Sequence, residues 1–250
     1  MQLLVSVRSA AEVAPALAGG ADIIDAKEPA RGPLGAVAAD VMAEVLARVP
    51  EDRRFSAALG DLSTEEDVLR AFGSVRLAPR RAAVYLKAGF GGVSSATVLS
   101  RLLDCAIEAA ARHPGYPRLV AVAYADRAGF LPPADLAQRA AYAGAAGVLL
   151  DTYHKDGRGL FGSMTPDAVA AWVAGVRRLG LLAAVAGEIG LADMETVQAL
   201  GVDIVGVRGA ACEGGRGGTV SAQRVTELRL RMTPNAFGLS SIGGKAEGLS

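Results

Sequence analysis

Lysine is scarce in this chain of 250 residues: of its 26 basic side chains 22 are Arg and only four are Lys, namely Lys27, Lys87, Lys155 and Lys245. Cysteine is limited to Cys105 and Cys212, and histidine to His113 and His154. No spacing among them fits a zinc site or a disulfide framework, so neither a metal nor a disulfide scaffold is expected. Aromatic residues make up only 5% of the chain, which argues against an aromatic-lined binding surface. Formal charge of either sign is not in excess, with 26 basic and 26 acidic groups, so the basic footprint of a nucleic-acid binder is missing and no nucleic-acid partner is expected. No apolar run approaches the ~18 residues of a membrane span. The opening Met1 to Ser6 is too short for a secretory signal, so the expected location is the cytoplasm, away from membranes.

What the sequence does have is alternation. Short β-branched or Leu-rich runs at residues 2–6, 22–27, 55–59, 83–87, 118–124, 147–151, 181–186 and 203–207 are separated by longer Ala-rich amphipathic stretches. That is the pattern of successive βα units on a parallel sheet. Eight units, with no G-x-G-x-x-G turn after the first strand, favour an α/β fold of one (β/α)8 TIM barrel over an open doubly wound sheet. Ser9 with Glu12 and Ser63 with Glu66 read as capping boxes, and Thr165-Pro166 as an N-cap with the first helical residue. Pro15 should kink or shorten the first helix. The expected catalytic barrel spans residues 1–232. The Gly/Ser-rich residues 233–250 read as a flexible tail.

Where solvation of a positive charge is enough, Arg and Lys are interchangeable, so a chain this rich in Arg should keep Lys where a guanidinium fails. Lys27, Lys87 and Lys155 fall at or just beyond the ends of the second, fourth and sixth strands, the barrel face where catalytic groups gather. Arg cannot release its proton to attack a carbonyl, whereas burial and neighbouring cations bring a Lys toward neutrality. A depression of roughly 3 pKa units corresponds to about 4 kcal/mol of lost ammonium stabilisation, within the range of buried lysines. Convergent amines therefore point to imine chemistry. Asp25 and Asp151, near Lys27 and Lys155, are candidates for proton transfer or for holding an ammonium, with Asp61 on the same shortlist. Simple ion pairing of each Lys with an acid is the competing reading.

The loops after strands seven and eight of such barrels often bind a phosphate on backbone N–H groups. Here they supply Gly187, Arg208, Gly209 and Ala210, with Arg208 offering either a charged fork to the anion or a salt bridge to an acid. The stretches 89–92 and 214–218 are glycine-rich enough for a second anion nest or a lid.

The segments LLVSVRSAAEVAPALAGGADIIDAKEP, RGPLGA, LLDTYHKDGRGLF and DIVGVRGAACEGG resemble the (5-formylfuran-3-yl)methyl phosphate synthase family over residues 2–231. That resemblance implies a lyase joining two glyceraldehyde 3-phosphate molecules, with loss of phosphate and water, to build the furan of methanofuran-type one-carbon cofactors. It also implies that Lys27 is the Schiff-base lysine and Lys87 the proton-accepting one. Asp151 and Lys155 complete the catalytic cluster, and Asp25 lies on the same motif. No metal or other cofactor is expected, because the imine polarises the substrate as a metal would. The expected partners are a phosphorylated triose and further copies of the chain in a homo-oligomer. Another Schiff-base phosphosugar aldolase and a non-catalytic phosphate-binding barrel are the alternatives.

Overall fold

The computed structural model describes residues 1–127 and 130–232; the expected tail lies outside them. Eight parallel strands close into a barrel in sequence order: β1 (Gln2–Val7), β2 (Ile23–Ala26), β3 (Arg54–Asp61), β4 (Val84–Gly89), β5 (Arg118–Tyr124), β6 (Gly147–Asp151), β7 (Leu182–Val185) and β8 (Ile204–Val207). Closure is made by β1 against β8, with Leu3 opposite Val205. Around the strands lie α1 (Val13–Ala18), α2 (Ala39–Arg48), α3 (Glu65–Ser74), α4 (Ala96–Ala111) and α5 (Pro133–Ala143). The ring continues with α6 (Gly159–Ser163), α7 (Pro166–Arg178), α8 (Met194–Ala199) and α9 (Ala222–Arg231). None of the described helices is long and apolar enough to cross a membrane.

The two-residue period of a strand sorts its side chains into two cores. Leu3, Val5 and Val7 of β1 pack outward under the helices, as do Leu119, Ala121 and Ala123 of β5. Leu4, Val120, Val122 and Tyr124 point into the barrel with Ile23, Tyr85, Leu149 and Ile204. Each fully buried Leu, Ile or Phe contributes about 1.5–3 kcal/mol, so the outer layer dominates stability. Along the inner face the chemistry changes toward the strands' C-terminal ends. Leu4 is followed two residues on by Ser6, Ile23 by Asp25, Tyr85 by Lys87 and Leu149 by Asp151. The barrel interior is thus apolar below and charged above.

Three local expectations are settled by capping chemistry. Thr165 caps α7 by accepting from the Ala168 N–H, with Pro166 first in the helix. The box expected at Ser63 and Glu66 lies one residue later, where Thr64 accepts from the Asp67 N–H and Asp67 answers the Thr64 N–H. Ser9 makes no side-chain cap, because Glu12 is buried and bound elsewhere. Pro15 sits in the first turn of the short α1, where its missing N–H leaves nothing unsatisfied.

Candidate active site

Strand register brings the charged inner residues together. Asp25 lies opposite Ser6 on one side and Ser56 on the other, and Ala58 opposite Lys87, so β2 and β4 aim at one space across β3. Lys87 Nζ donates to Asp25 Oδ2 at 2.7 Å, and Ser6 Oγ donates to the same oxygen at 2.8 Å. On β6, Asp151 Oδ1 accepts from Lys155 Nζ at 2.7 Å and from the Thr152 N–H at 2.8 Å, and Lys155 also reaches Thr152 Oγ1 at 2.9 Å. Burial pushes the Asp151 carboxyl upward, but the charges of Lys155 and Lys27 and these hydrogen bonds outweigh it, and its pKa falls below the ordinary value.

Lys27 stands between the two pairs. Its N–H continues the strand pairing by donating to Val7 O, which fixes the residue just past β2. Its side chain is buried at 7% exposure, and among the described residues its ammonium has neither an ion pair nor a hydrogen bond. Loss of hydration lowers its pKa to about 8, and the nearby charges of Asp151 and Asp25, which raise it, are opposed by those of Lys87 and Lys155. The three lysines and both aspartates singled out from the sequence therefore form one cluster; Lys27, Lys87, Asp151 and Lys155 line a cavity of about 310 Å3. Two polar atoms of the cluster are buried without a partner among the described residues: Asp25 Oδ1, on an aspartate singled out from the sequence, and Ser56 Oγ, which lines the cavity and was not.

Gly187, Arg208, Gly209 and Ala210 line the same cavity. Gly187 and the following Glu188 turn the chain with φ of 110° and 50°. Arg208, read as either a fork for phosphate or a salt bridge to an acid, makes the salt bridge. Its Nη1 donates to Glu12 Oε2 at 2.6 Å and Ser6 O at 2.9 Å, its Nη2 to Glu12 Oε1 at 3.0 Å and Gly218 O at 2.6 Å, and its Nε to Arg216 O at 3.2 Å. A guanidinium has five N–H donors, so none is left for a ligand. Burial pushes Glu12 up, but the Arg208 hydrogen bond and charge and the Arg8 N–H bring its pKa below the ordinary value. Among the described residues Arg216 lines the cavity without an ion pair and uses only Nη2, on Pro29 O and Gly32 O at 3.1 and 2.9 Å. Nothing in its local sequence separated Arg216 from other loop arginines.

At 89–92, read as an anion nest or a lid, one N–H is already taken by the protein. Gly91 N–H donates to Asp61 Oδ1 at 2.8 Å, and the Tyr124 hydroxyl donates to both Asp61 oxygens at 2.9 and 3.0 Å. A Cβ at Gly89 would collide with that carboxylate and with the Tyr124 hydroxyl. Burial raises the Asp61 pKa, and burial together with the Asp61 charge drives the Tyr124 hydroxyl far upward.

The family model of 4-HFC-P synthase matches residues 3–229. The chain belongs to this family. It is 35% identical to the (5-formylfuran-3-yl)methyl phosphate synthase of Methanothermobacter thermautotrophicus, covering 92% of this chain and 98% of that protein. It is 39% identical to the Methanopyrus kandleri protein of the same name, covering 86% and 90%. Both relationships span most of each chain, and the match to the 4-HFC-P synthase family model runs from β1 to α9. Solved structures of similar shape include a 3-hexulose-6-phosphate synthase, with TM-score 0.61, 20% identity and coverage of 93% of this chain and 100% of that one. Phosphoribosyl anthranilate isomerase from Thermus thermophilus follows with TM-score 0.59 and 18% identity over 93% and 98%. These distant likenesses carry the barrel fold alone.

Proposed function

We propose that this 4-HFC-P synthase family member condenses two glyceraldehyde 3-phosphate molecules into (5-formylfuran-3-yl)methyl phosphate through an imine on Lys27, for methanofuran-type cofactor biosynthesis. Atom balance requires release of one inorganic phosphate and two waters. The observation that carries the reading is the contrast among the lysines: Lys87 and Lys155 each hold a carboxylate at 2.7 Å, while buried Lys27 holds none and has a pKa of about 8. At neutral pH a useful fraction of Lys27 is then the free amine.

The Lys27 amine attacks one triose carbonyl and water leaves to form the imine. Loss of a proton from the adjacent carbon converts it to an enamine, and the Lys87–Asp25 pair, side by side at 2.7 Å, carries that proton. The enamine carbon attacks the second aldehyde, phosphate elimination, ring closure and dehydration complete the furan, and cleavage of the carbon–nitrogen bond to Lys27 frees the amine, so that one phosphate and two waters leave overall. Lys155 with Asp151 serves the oxygen atoms that gain and lose protons. The retained phosphate binds Arg216 and the backbone of Gly187, Gly209 and Ala210. Substrate hydroxyls satisfy Asp25 Oδ1 and Ser56 Oγ.

The test is incubation of purified, metal-stripped protein with glyceraldehyde 3-phosphate, following the ultraviolet absorbance of a furan aldehyde and mapping the borohydride-reduced adduct by mass spectrometry. Furan formation with an adduct on Lys27 supports the proposal. An adduct without furan indicates a Schiff-base aldolase of another phosphosugar, and neither product nor adduct indicates a binding barrel.

A further inference from the structure

Arg127, three residues past β5, is held in a way that no other described arginine is. Its guanidinium carbon lies 3.8 Å from the ring centroid of Tyr153 and 4.5 Å from that of Phe130. Among the described residues it makes no hydrogen bond and no ion pair. Stacking occupies the flat faces of a guanidinium and leaves its N–H edge available. Arg208 shows the alternative, a cation neutralised by Glu12 with every donor engaged. An arginine positioned by aromatic rings keeps its charge for a third party.

The support is built, not incidental. Tyr124, Phe130 and Tyr153 form a mutually tilted cluster with centroids 5.3 to 6.4 Å apart, and Phe130 and Tyr153 pack on the inner core of the barrel. Asp126 accepts from the N–H groups of Tyr153 and His154 at 2.7 and 2.8 Å, tying the loop after β5 to the loop that carries Lys155. Asp61, whose carboxyl feels the Arg127 charge, is already bound by Tyr124 and Gly91. The cation thus follows the C-terminal end of β5, outside the residues that line the cavity, with β6 between it and the strands that carry the loops after β7 and β8.

We propose that Arg127 is the receptor for the second phosphate, the one on the triose that joins the Lys27-bound triose. This inference rests on the proposed condensation of two phosphorylated trioses. Arg216 holds one anion inside the cavity, and Arg127 holds the other beyond the end of β5.

Arg127→Met removes the charge while keeping an unbranched apolar stem against the rings, and Arg127→Lys keeps a charge without the fork. The Met variant should raise KM for glyceraldehyde 3-phosphate roughly tenfold or more, the size of one charge-assisted contact to phosphate. It should also bind one inorganic phosphate where the unaltered protein binds two, with Tm unchanged; the Lys variant should recover part of the KM loss. In the unaltered protein, inorganic phosphate should protect Arg127 from butanedione labelling, a readout independent of turnover and of folding in any variant. Equal labelling of Arg127 with and without phosphate, or an unchanged KM and phosphate count in the Met variant, overturns the assignment. Absence of furan from the unaltered protein would instead count against the condensation, and the labelling result would still decide whether Arg127 binds phosphate.

Discussion

The β2–β4 wall of the cavity and its β6 wall treat their lysines alike, and Lys27 between them is treated differently. Lys87 against Asp25 is almost sealed, at 6% and 0% exposure; Lys155 against Asp151 is a little more open, at 15% and 2%. Each buried ammonium has a carboxylate to offset its lost hydration. Lys27 has lost its hydration without that offset, and its pKa falls to about 8. A cluster of amines does not by itself single one out; the placement of two carboxylates does.

Removing the unpaired lysine should have the largest effect. Lys27→Met should lower turnover by about four orders of magnitude or more, since Lys27 is the proposed imine-forming amine and the other two amines of the site are bound to carboxylates. It should also stabilise the protein. The folded-state pKa lies below the ordinary 10.5, so folding is opposed by the charged form at full strength below pH 8, and this opposition fades as pH rises toward 10.5. The variant should gain about 3 kcal/mol at pH 7 in urea unfolding, at 1.36 kcal/mol per unit, and the gain should shrink above pH 8. A variant that is less stable at pH 7 would contradict the unpaired state of Lys27.

Breaking a pair should do the opposite. Asp25→Asn leaves the Lys87 ammonium buried alone and should destabilise by about 3 kcal/mol, and the double change Asp25→Leu with Lys87→Met should recover much of that loss. Arg208→Met should be similarly damaging through Glu12, whereas Arg216→Met should leave Tm nearly unchanged and raise KM roughly tenfold. Equal effects of the two arginine substitutions on KM and Tm would erase the distinction drawn between them. The smallest effect is electrostatic and has a sign. Asp151 raises the Lys27 pKa and Lys155 lowers it, so Asp151→Asn should move the pH midpoint of borohydride trapping to lower pH and Lys155→Met to higher pH.

Much of this was legible in the sequence because it depends on local pattern. All eight strands fall within two residues of the positions expected from their apolar runs, and the scarcity of Lys singled out the three that meet in the site. What was hidden depends on partners distant in the chain. Glu12 has the spacing of a capping box, but its partner Arg208 is 196 residues away. The glycine stretch after β4 looks like a place for an anion, and the anion is Asp61. Arg127 and Arg216 differ from the other arginines only in what surrounds them: aromatic rings for one, loop carbonyls for the other. Ser56 sits in a strand whose position was expected, but the lack of a partner for its hydroxyl is a property of the assembled barrel.

The most direct test of the central claim is the pH dependence of borohydride trapping with glyceraldehyde 3-phosphate, with the adduct located by peptide mass spectrometry at each pH. The account predicts one modified residue, Lys27, with trapping that rises with pH to a midpoint at about 8. An adduct on Lys87 or Lys155, or a midpoint near the ordinary lysine value of 10.5, would contradict it.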